Sequence, residues 1–429
     1  MKKSNLFLLV LAGVSFFTSC QKEVEPVGFN EPITIEASLK TNRISLKEAI
    51  EIATDGIGML ESTDITRANS TRRVDPNLVK YKINPATRAG EDADTLYYVI
   101  NYADDAGFAV VSTTRSIENP LLVVTESGNY TPGEETENEG FNLYMDLLDI
   151  KMSARDGGDN SRPGVDTGFD GFGPFYEYDT SETNKGPYLT VRWGQDNPYN
   201  AYCKTSDNLQ AKTGCVATAL AQIMSYYEYP SSYTPTYATN IATQYLSWPN
   251  IKWHIDSHTC YCSGHEQLSI LFREIGKRTS TIYGVSESDS SDLGAFIGLT
   301  SFGYNANETR AYNYWTVKSD LDNNRPVYMS GRPSTSTKKH AWVIDGYKVV
   351  TSTRITYFIL DDGSQNITER LVTSERYLHI NWGRDGRSNG YFQEGTFDTD
   401  NYYQLDIGLY TDEYFDADLV IINGIYPNQ

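Results

Sequence analysis

The sequence predicts an α+β protein built in two parts. Three observations lead there: helical and strand-like patterns alternate over residues 45–152, a glycine- and proline-rich stretch interrupts all periodicity over 154–187, and a helical run at 215 and a strand-like run at 340 follow it. A length of 429 residues also exceeds one ordinary domain. Apolar residues are 39% and aromatic residues 13% of the chain, enough to build cores, so global disorder is excluded.

The elements follow in order. Lys2 and Lys3 precede the apolar run from Leu6 to Phe17, which is too short to span a bilayer and ends in Thr18-Ser19-Cys20. Small residues before a lone cysteine read as a bacterial lipoprotein signal over 1–20, with Cys20 lipidated. An ordinary cleaved signal with an incidental cysteine is the other reading. Residues 21–42, polar and holding Pro26 and Pro32, read as a tether. Ser45 and Glu48 have capping-box spacing, and Ala49, Ile50, Ile52 and Ala53 supply an apolar helix face behind them. Leu96–Tyr102 and Phe108–Ser112 flank Asp104-Asp105-Ala106-Gly107 and predict a hairpin. Leu121–Val124 predicts another strand, and Phe141–Met152 another helix. A small α+β domain over 43–153 results, with a linker over 154–187 and a second domain over 188–429.

Charge divides along the same lines. There are 36 basic and 56 acidic residues, net −20, which argues against nucleic acid or an anionic membrane surface as partner. Residues 1–20 carry +2, 21–187 carry −15, 188–397 carry 0 and 398–429 carry −7. The neutral block holds the candidate chemistry. The 32 tyrosines show no periodic display that would single out a sugar-binding surface.

In that block, apolar residues at 216, 219, 220, 223, 224 and 227 predict a helix stopped by Pro230, with Cys215 at its N-terminus. The positive end of a helix favours thiolate over thiol. His340 opens an apolar strand-like run, a rigid element suited to holding a general base. A lone Cys is more often half of a disulfide or a buried hydrophobe, and a lone His more often a structural hydrogen-bonder; the combination is what points to catalysis.

The strings Trp193-Gly194-Gln195, Gly214-Cys215-Val216-Ala217-Thr218-Ala219, His340-Ala341-Trp342-Val343-Ile344-Asp345-Gly346-Tyr347 and Asn381-Trp382-Gly383 together resemble the streptopain family of papain-like cysteine peptidases. The front half resembles that family's propeptide domain. The resemblance implies a two-lobed catalytic domain, a helical lobe and an antiparallel sheet lobe, preceded by an inhibitory α+β propeptide. It implies Cys215 as nucleophile, His340 as proton carrier, Gln195 as oxyanion donor, and Asn381 and Trp382 as orienting and shielding the imidazole, with Asn381 as the hydrogen-bonding candidate and Trp382 as the hydrophobic cover. No cofactor or metal is implied. The partners would be protein or peptide substrates, the chain's own propeptide as inhibitor, and a membrane reached through the lipid anchor alone. The location would be the outer membrane or cell surface, with release after processing and activation cleavage within 154–187.

The chain departs from the family twice. Lys339, after Lys338, stands where the family commonly has Gly before the histidine, and Arg384 where it often has a second Trp. A binding or inhibitory protein on the same fold, or another Cys–His acyl-transfer enzyme such as a transpeptidase or amidase, are the competing readings. The cluster His254, His258, Cys260, Cys262 and His265 fits no common metal spacing. A disulfide from Cys203 to Cys260 or Cys262, free thiols and a metal all stay open there. Tyr283–Asp292 lies where the family has a substrate-lining loop, though its composition suits a solvated turn equally well.

Overall fold

The hydroxyl of Ser45 accepts the Glu48 N–H at 3.3 Å and starts the first helix, α1 (Leu46–Glu61). Ala49, Ala53, Ile57 and Leu60 form its buried stripe, at the spacing of one helix face. The computed structural model describes residues 43–61, 72–84, 95–115, 117, 119–156, 175–238, 242–256, 263–332, 339–359, 365–397 and 418–428. The expected signal, Cys20 and the tether lie outside these residues.

Four strands follow α1: β1 (Val74–Ile83), β2 (Thr95–Tyr102), β3 (Phe108–Ser112) and β4 (Leu121–Thr125). The expected hairpin is β2–β3, with Asp104 and Asp105 at positive φ in its connection. Helix α2 (Glu139–Asp156) starts where the Asn138 side chain accepts the Phe141 N–H at 3.1 Å.

Beyond residue 175 come β5 (Phe175–Lys185), α3 (Cys215–Tyr227), β6 (Ser232–Tyr233), β7 (Gln244–Tyr245), α4 (Trp248–Asp256), α5 (Ser263–Arg278) and α6 (Asp292–Ser301). Then follow β8 (Tyr304–Asn305), β9 (Arg310–Ala311), α7 (Tyr314–Asp322), β10 (Val327–Gly331), β11 (His340–Ile359), β12 (Gln365–Asn381), β13 (Gly390–Gln393), β14 (Val420–Ile422) and β15 (Tyr426–Pro427). Helices α3 to α6 gather around one core that includes Val216, Leu220, Ile223, Leu271, Phe272 and Leu299, the helical lobe. The sheet lobe is antiparallel.

The two parts of the chain are not separate bodies. The sheet order is β1-β2-β3-β4-β13-β12-β11-β10-β14-β9, so the N-terminal sheet continues into the C-terminal one through β4 and β13. Val123, Val124 and Thr125 pair antiparallel with Phe392, Tyr391 and Gly390. Gly390 has φ 155°, and a Cβ there would run into the Val124 carbonyl and come within 2.7 Å of Thr125 Cα, so only glycine permits this pairing. Phe141, Tyr144 and Leu148 of α2 share a core with Trp342, Ile344, Trp382 and Phe392. Full burial of one such aromatic stabilises by about 1.5–3 kcal/mol, so several together hold the N-terminal segment firmly on the sheet.

The reading of 154–187 as a linker needs correction in its second half. Residues 175–185 form β5, which pairs along Tyr347–Tyr357 of β11. The strand is polar because β11 and β5 reach away from the cores, and solvent-facing strand positions need no apolar alternation. Residues 157–174 lie outside the described residues.

Candidate active site

Cys215 is the first residue of α3, preceded by Gly214 at φ 90°, a conformation that suits glycine. Val216, Ala217, Ala219, Leu220 and Ile223 bury the helix behind it, so Cys215 stands half-buried at a fixed point with the helix N-terminus under its sulfur.

His340 begins β11, whose register against β10 pairs it with Gly331. It is 2% exposed. Its Nε2 lies 3.2 Å from the Trp382 carbonyl oxygen, and since a carbonyl only accepts, Nε2 carries hydrogen. Burial alone favours the neutral ring, but contact with the Cys215 thiol and the Glu139 carboxylate raises its pKa to about 9. At neutral pH the imidazole beside Cys215 is therefore a cation. The ring of Trp382 is fully buried against Trp342 and fixed by its indole N–H to the Ser388 carbonyl at 3.0 Å.

Asn381 corrects the expectation for it. Its Nδ2 donates to the Val191 carbonyl at 2.9 Å and its Oδ1 accepts the Gly383 N–H at 3.1 Å, so its amide does not meet His340. The chain's path explains this: Asn381 ends β12 and Gly383 turns at φ 70°, which points the Trp382 carbonyl, not the Asn381 side chain, toward the imidazole. Through its bond to the Gly383 N–H the Asn381 side chain holds that turn.

Gln195 is 4% exposed, and its Nε2 is a buried donor with no acceptor. Its carbonyl accepts the Thr213 N–H at 3.0 Å, tying it to the segment that leads into Cys215. Lys339, where a glycine was expected, is held through its ammonium by Asp292, the first residue of α6, while its carbonyl lies 4.0 Å from Cys215 Sγ. Asp292 also accepts from Ser330 at 2.6 Å and Tyr328 at 3.1 Å. The expected substrate-lining stretch thus ends in a fixed carboxylate beside the site.

The N-terminal segment covers these groups. Glu139 Oε2, at the start of α2, is 3.2 Å from His340 Nδ1 and 2.6 Å from an Arg384 nitrogen. The His340 contact is a charge pairing off the hydrogen-bond line. Burial would raise the Glu139 carboxyl, but His340 and Arg384 hold it down at about 2. The next residue, Gly140, lies directly on His340 and Trp382; a Cβ there would come within 2.7 Å of the Trp382 ring. Glu139 carries no local signal in the sequence, because the contact joins helix α2 to a strand far along the chain. The unexpected Arg384 was the nearest available signal.

A second buried histidine also bridges the two parts. His379 Nδ1 is 2.6 Å from Asp345 Oδ1, and its Nε2 is 3.3 Å from Glu126 Oε1, just past β4. Burial disfavours its charge, but Asp345 and Glu126 lift its pKa from 6.5 to about 10. Glu126 pairs in turn with Arg192 at 2.6 Å. A folded value above the ordinary one stabilises fully below about pH 6.5 and loses that contribution as pH rises through about 10. Thermal unfolding of the full chain, followed by circular dichroism across that window, is expected to move to lower temperature with rising pH. Glu126→Gln is expected to flatten the slope, and an identical slope in that variant would remove Glu126 from the linkage.

Of the cysteine and histidine cluster, His258, Cys260 and Cys262 lie outside the described residues. Cys203 is a buried free thiol, its pKa pushed up to about 11 by burial.

Comparison with known proteins agrees with this geometry. Residues 193–392 match the Peptidase C10 family. Streptopain of Streptococcus pyogenes is 27% identical over 241 residues, covering 47% of this chain and 53% of that protein. The thiol protease/hemagglutinin PrtT of Porphyromonas gingivalis is 24% identical over 336 residues, covering 71% of this chain and 34% of that protein. The chain therefore spans about half the length of the streptopain it matches and about a third of PrtT. Among solved structures, a prointerpain A fragment of Prevotella intermedia superposes with TM-score 0.51 at 21% identity, covering 82% of this chain and all of that one, a likeness of fold. The stretch 193–392, a little under half of the chain, is thus similar to the Peptidase C10 family, and it holds Gln195, Cys215, His340, Asn381 and Trp382.

Proposed function

We propose that the chain is the precursor of an exported cysteine endopeptidase. The observation that carries the reading is the buried His340 set against a cysteine at a helix N-terminus, the Cys215 contact being among the causes that hold its pKa up at about 9 in the precursor. In the working enzyme the Cys215 thiolate attacks the scissile carbonyl carbon, forming a C–S bond as the carbonyl π pair moves onto oxygen. Gln195 Nε2 and the Cys215 N–H receive that oxyanion; the unpartnered Nε2 is a donor awaiting an acceptor. As the C–N bond breaks, His340 passes its proton to the leaving amine. A water, deprotonated by the now neutral His340, then hydrolyses the thioester. The Trp382 carbonyl holds the imidazole's far nitrogen, and Asn381 holds the turn that presents it.

Residues 43–153 serve as the inhibitory propeptide, with Glu139 and Gly140 lying on His340. Because β5 is paired along its length with β11, its backbone is a poor protease target, which favours an activating cut within 154–174. Anchoring through a lipidated Cys20 would then be lost with the cut, releasing the peptidase from the membrane or cell surface.

An epoxide inhibitor of cysteine peptidases is expected to label the processed protein at Cys215, read by mass mapping; labelling elsewhere with Cys215 unmodified would overturn the assignment. Gln195→Ala is expected to lower kcat on a peptide amide by about 10²–10³-fold with KM little changed. An unchanged kcat would remove Gln195 from the oxyanion site.

A further inference from the structure

The face of α7 remote from the core lines a cleft of about 420 Å³ that shares no residue with the Cys215–His340 site. Trp315, Thr316, Ser319, Asp320 and Asn323 contribute from the helix and its end, opposed by Arg325, Asn307 and Asn423. Three features set it apart. Trp315 is 64% exposed, with the Arg376 guanidinium over its ring at 5.2 Å from the centroid, which leaves the opposite face for a ligand. Asn423, only 6% exposed, gives its Nδ2 to Asp320 at 2.7 Å while its Oδ1 is buried with no donor. Asp320, besides that bond, accepts the Gly424 N–H at 3.2 Å and has the Arg325 guanidinium at 3.9 Å. The acid is thus compensated within the wall, and the cleft has no net appetite for an ion.

These walls define the ligand's chemistry. A peptide side-chain pocket is lined mostly by apolar groups with a few polar ones. Here the proportions are reversed: amides, hydroxyls, a carboxylate and a guanidinium surround one flat aromatic face. An uncharged molecule with many hydroxyls and one apolar ring face fits such a surface, the ring stacking on the indole and a hydroxyl donating to the buried acceptor. We infer that this cleft is a binding site for a neutral saccharide, with Trp315 as its stacking platform and Asn423 Oδ1 as its fixed acceptor. Since the cleft is formed by α7 and the segment after β14, it stays with the peptidase after the N-terminal segment is lost, and it would hold the enzyme against glycan-bearing material while the distant cysteine site acts.

The test uses the full chain carrying Cys215→Ala, so that no self-cleavage intervenes, with N-acetylchitotriose, N-acetyllactosamine, maltotriose and tetra-alanine as probes at millimolar concentration. Saturation-transfer NMR is expected to show contact with at least one of the three sugars. Trp315→Ala, at an exposed position that leaves the fold intact, is expected to weaken that binding about tenfold, the equivalent of about 1.4 kcal/mol for one stacking contact. Asn423→Asp, which keeps the shape but repels the neighbouring carboxylate, is expected to weaken it as well. No transfer to any sugar, transfer to tetra-alanine alone, or sugar binding undiminished in Trp315→Ala would each overturn the inference.

Discussion

Cys215→Ala is expected to abolish hydrolysis of a protein substrate and to leave the full-length chain unprocessed in a preparation where the wild type converts itself. The expected loss is on the order of 10⁶-fold in kcat, the scale seen when a nucleophile is removed from a working catalytic set. The variant should fold, because Cys215 is half-buried at a helix start and alanine is a good helix former. The measurement is the initial rate on a labelled protein substrate together with the precursor band on a gel. Full activity with a folded protein would sink the Cys215 mechanism.

Gly140→Val is expected to produce the opposite phenotype, an uncleaved chain that hydrolyses substrate from the first time point. Any Cβ at Gly140 collides with His340 and Trp382, both packed among buried neighbours and unable to give way, so the start of α2 must lift instead. Overpacking of this kind costs about 1–3 kcal/mol, which raises the undocked population about 5- to 150-fold. Lifting α2 also draws Glu139 off His340 and Arg384. Glu139→Gln is expected to give the same phenotype more weakly, since the amide keeps its shape and loses its charge. Latency retained in both variants would show that contact at the start of α2 is not what blocks the site.

What the sequence carried and what it withheld divide by distance along the chain. Ser45, the hairpin at Asp104-Asp105 and the helix behind Cys215 were legible because capping, turn and periodicity signals are local. Cys215, His340 and Gln195 stood out as candidates because each sits in a string of characteristic neighbours. The β5 strand was not, because a polar strand laid along an outlying stretch of β11 has neither alternation nor bounding turns of its own. Glu139 and Glu126 were also invisible, since each becomes significant only when tertiary packing brings it to a histidine more than a hundred residues later. For Asn381 the residue type pointed one way and the backbone another: the amide that the Asn381-Trp382-Gly383 string offered to His340 is taken up by the turn at Gly383.

The β4–β13 pairing has one more consequence. A cut before Phe175 severs the chain but not this ladder, so the cleaved fragment stays seated until the ladder peels apart. When it does, β13 becomes a raw sheet edge whose N–H and C=O groups face solvent, with the buried rings of Tyr391 and Phe392 newly uncovered beside it. Such an edge is a template for any extended strand, another copy of the enzyme included. On the proposed precursor reading, the acidic N-terminal segment would shield this border as well as cover the cysteine, and a freed peptidase would carry an exposed strand edge that its precursor lacks.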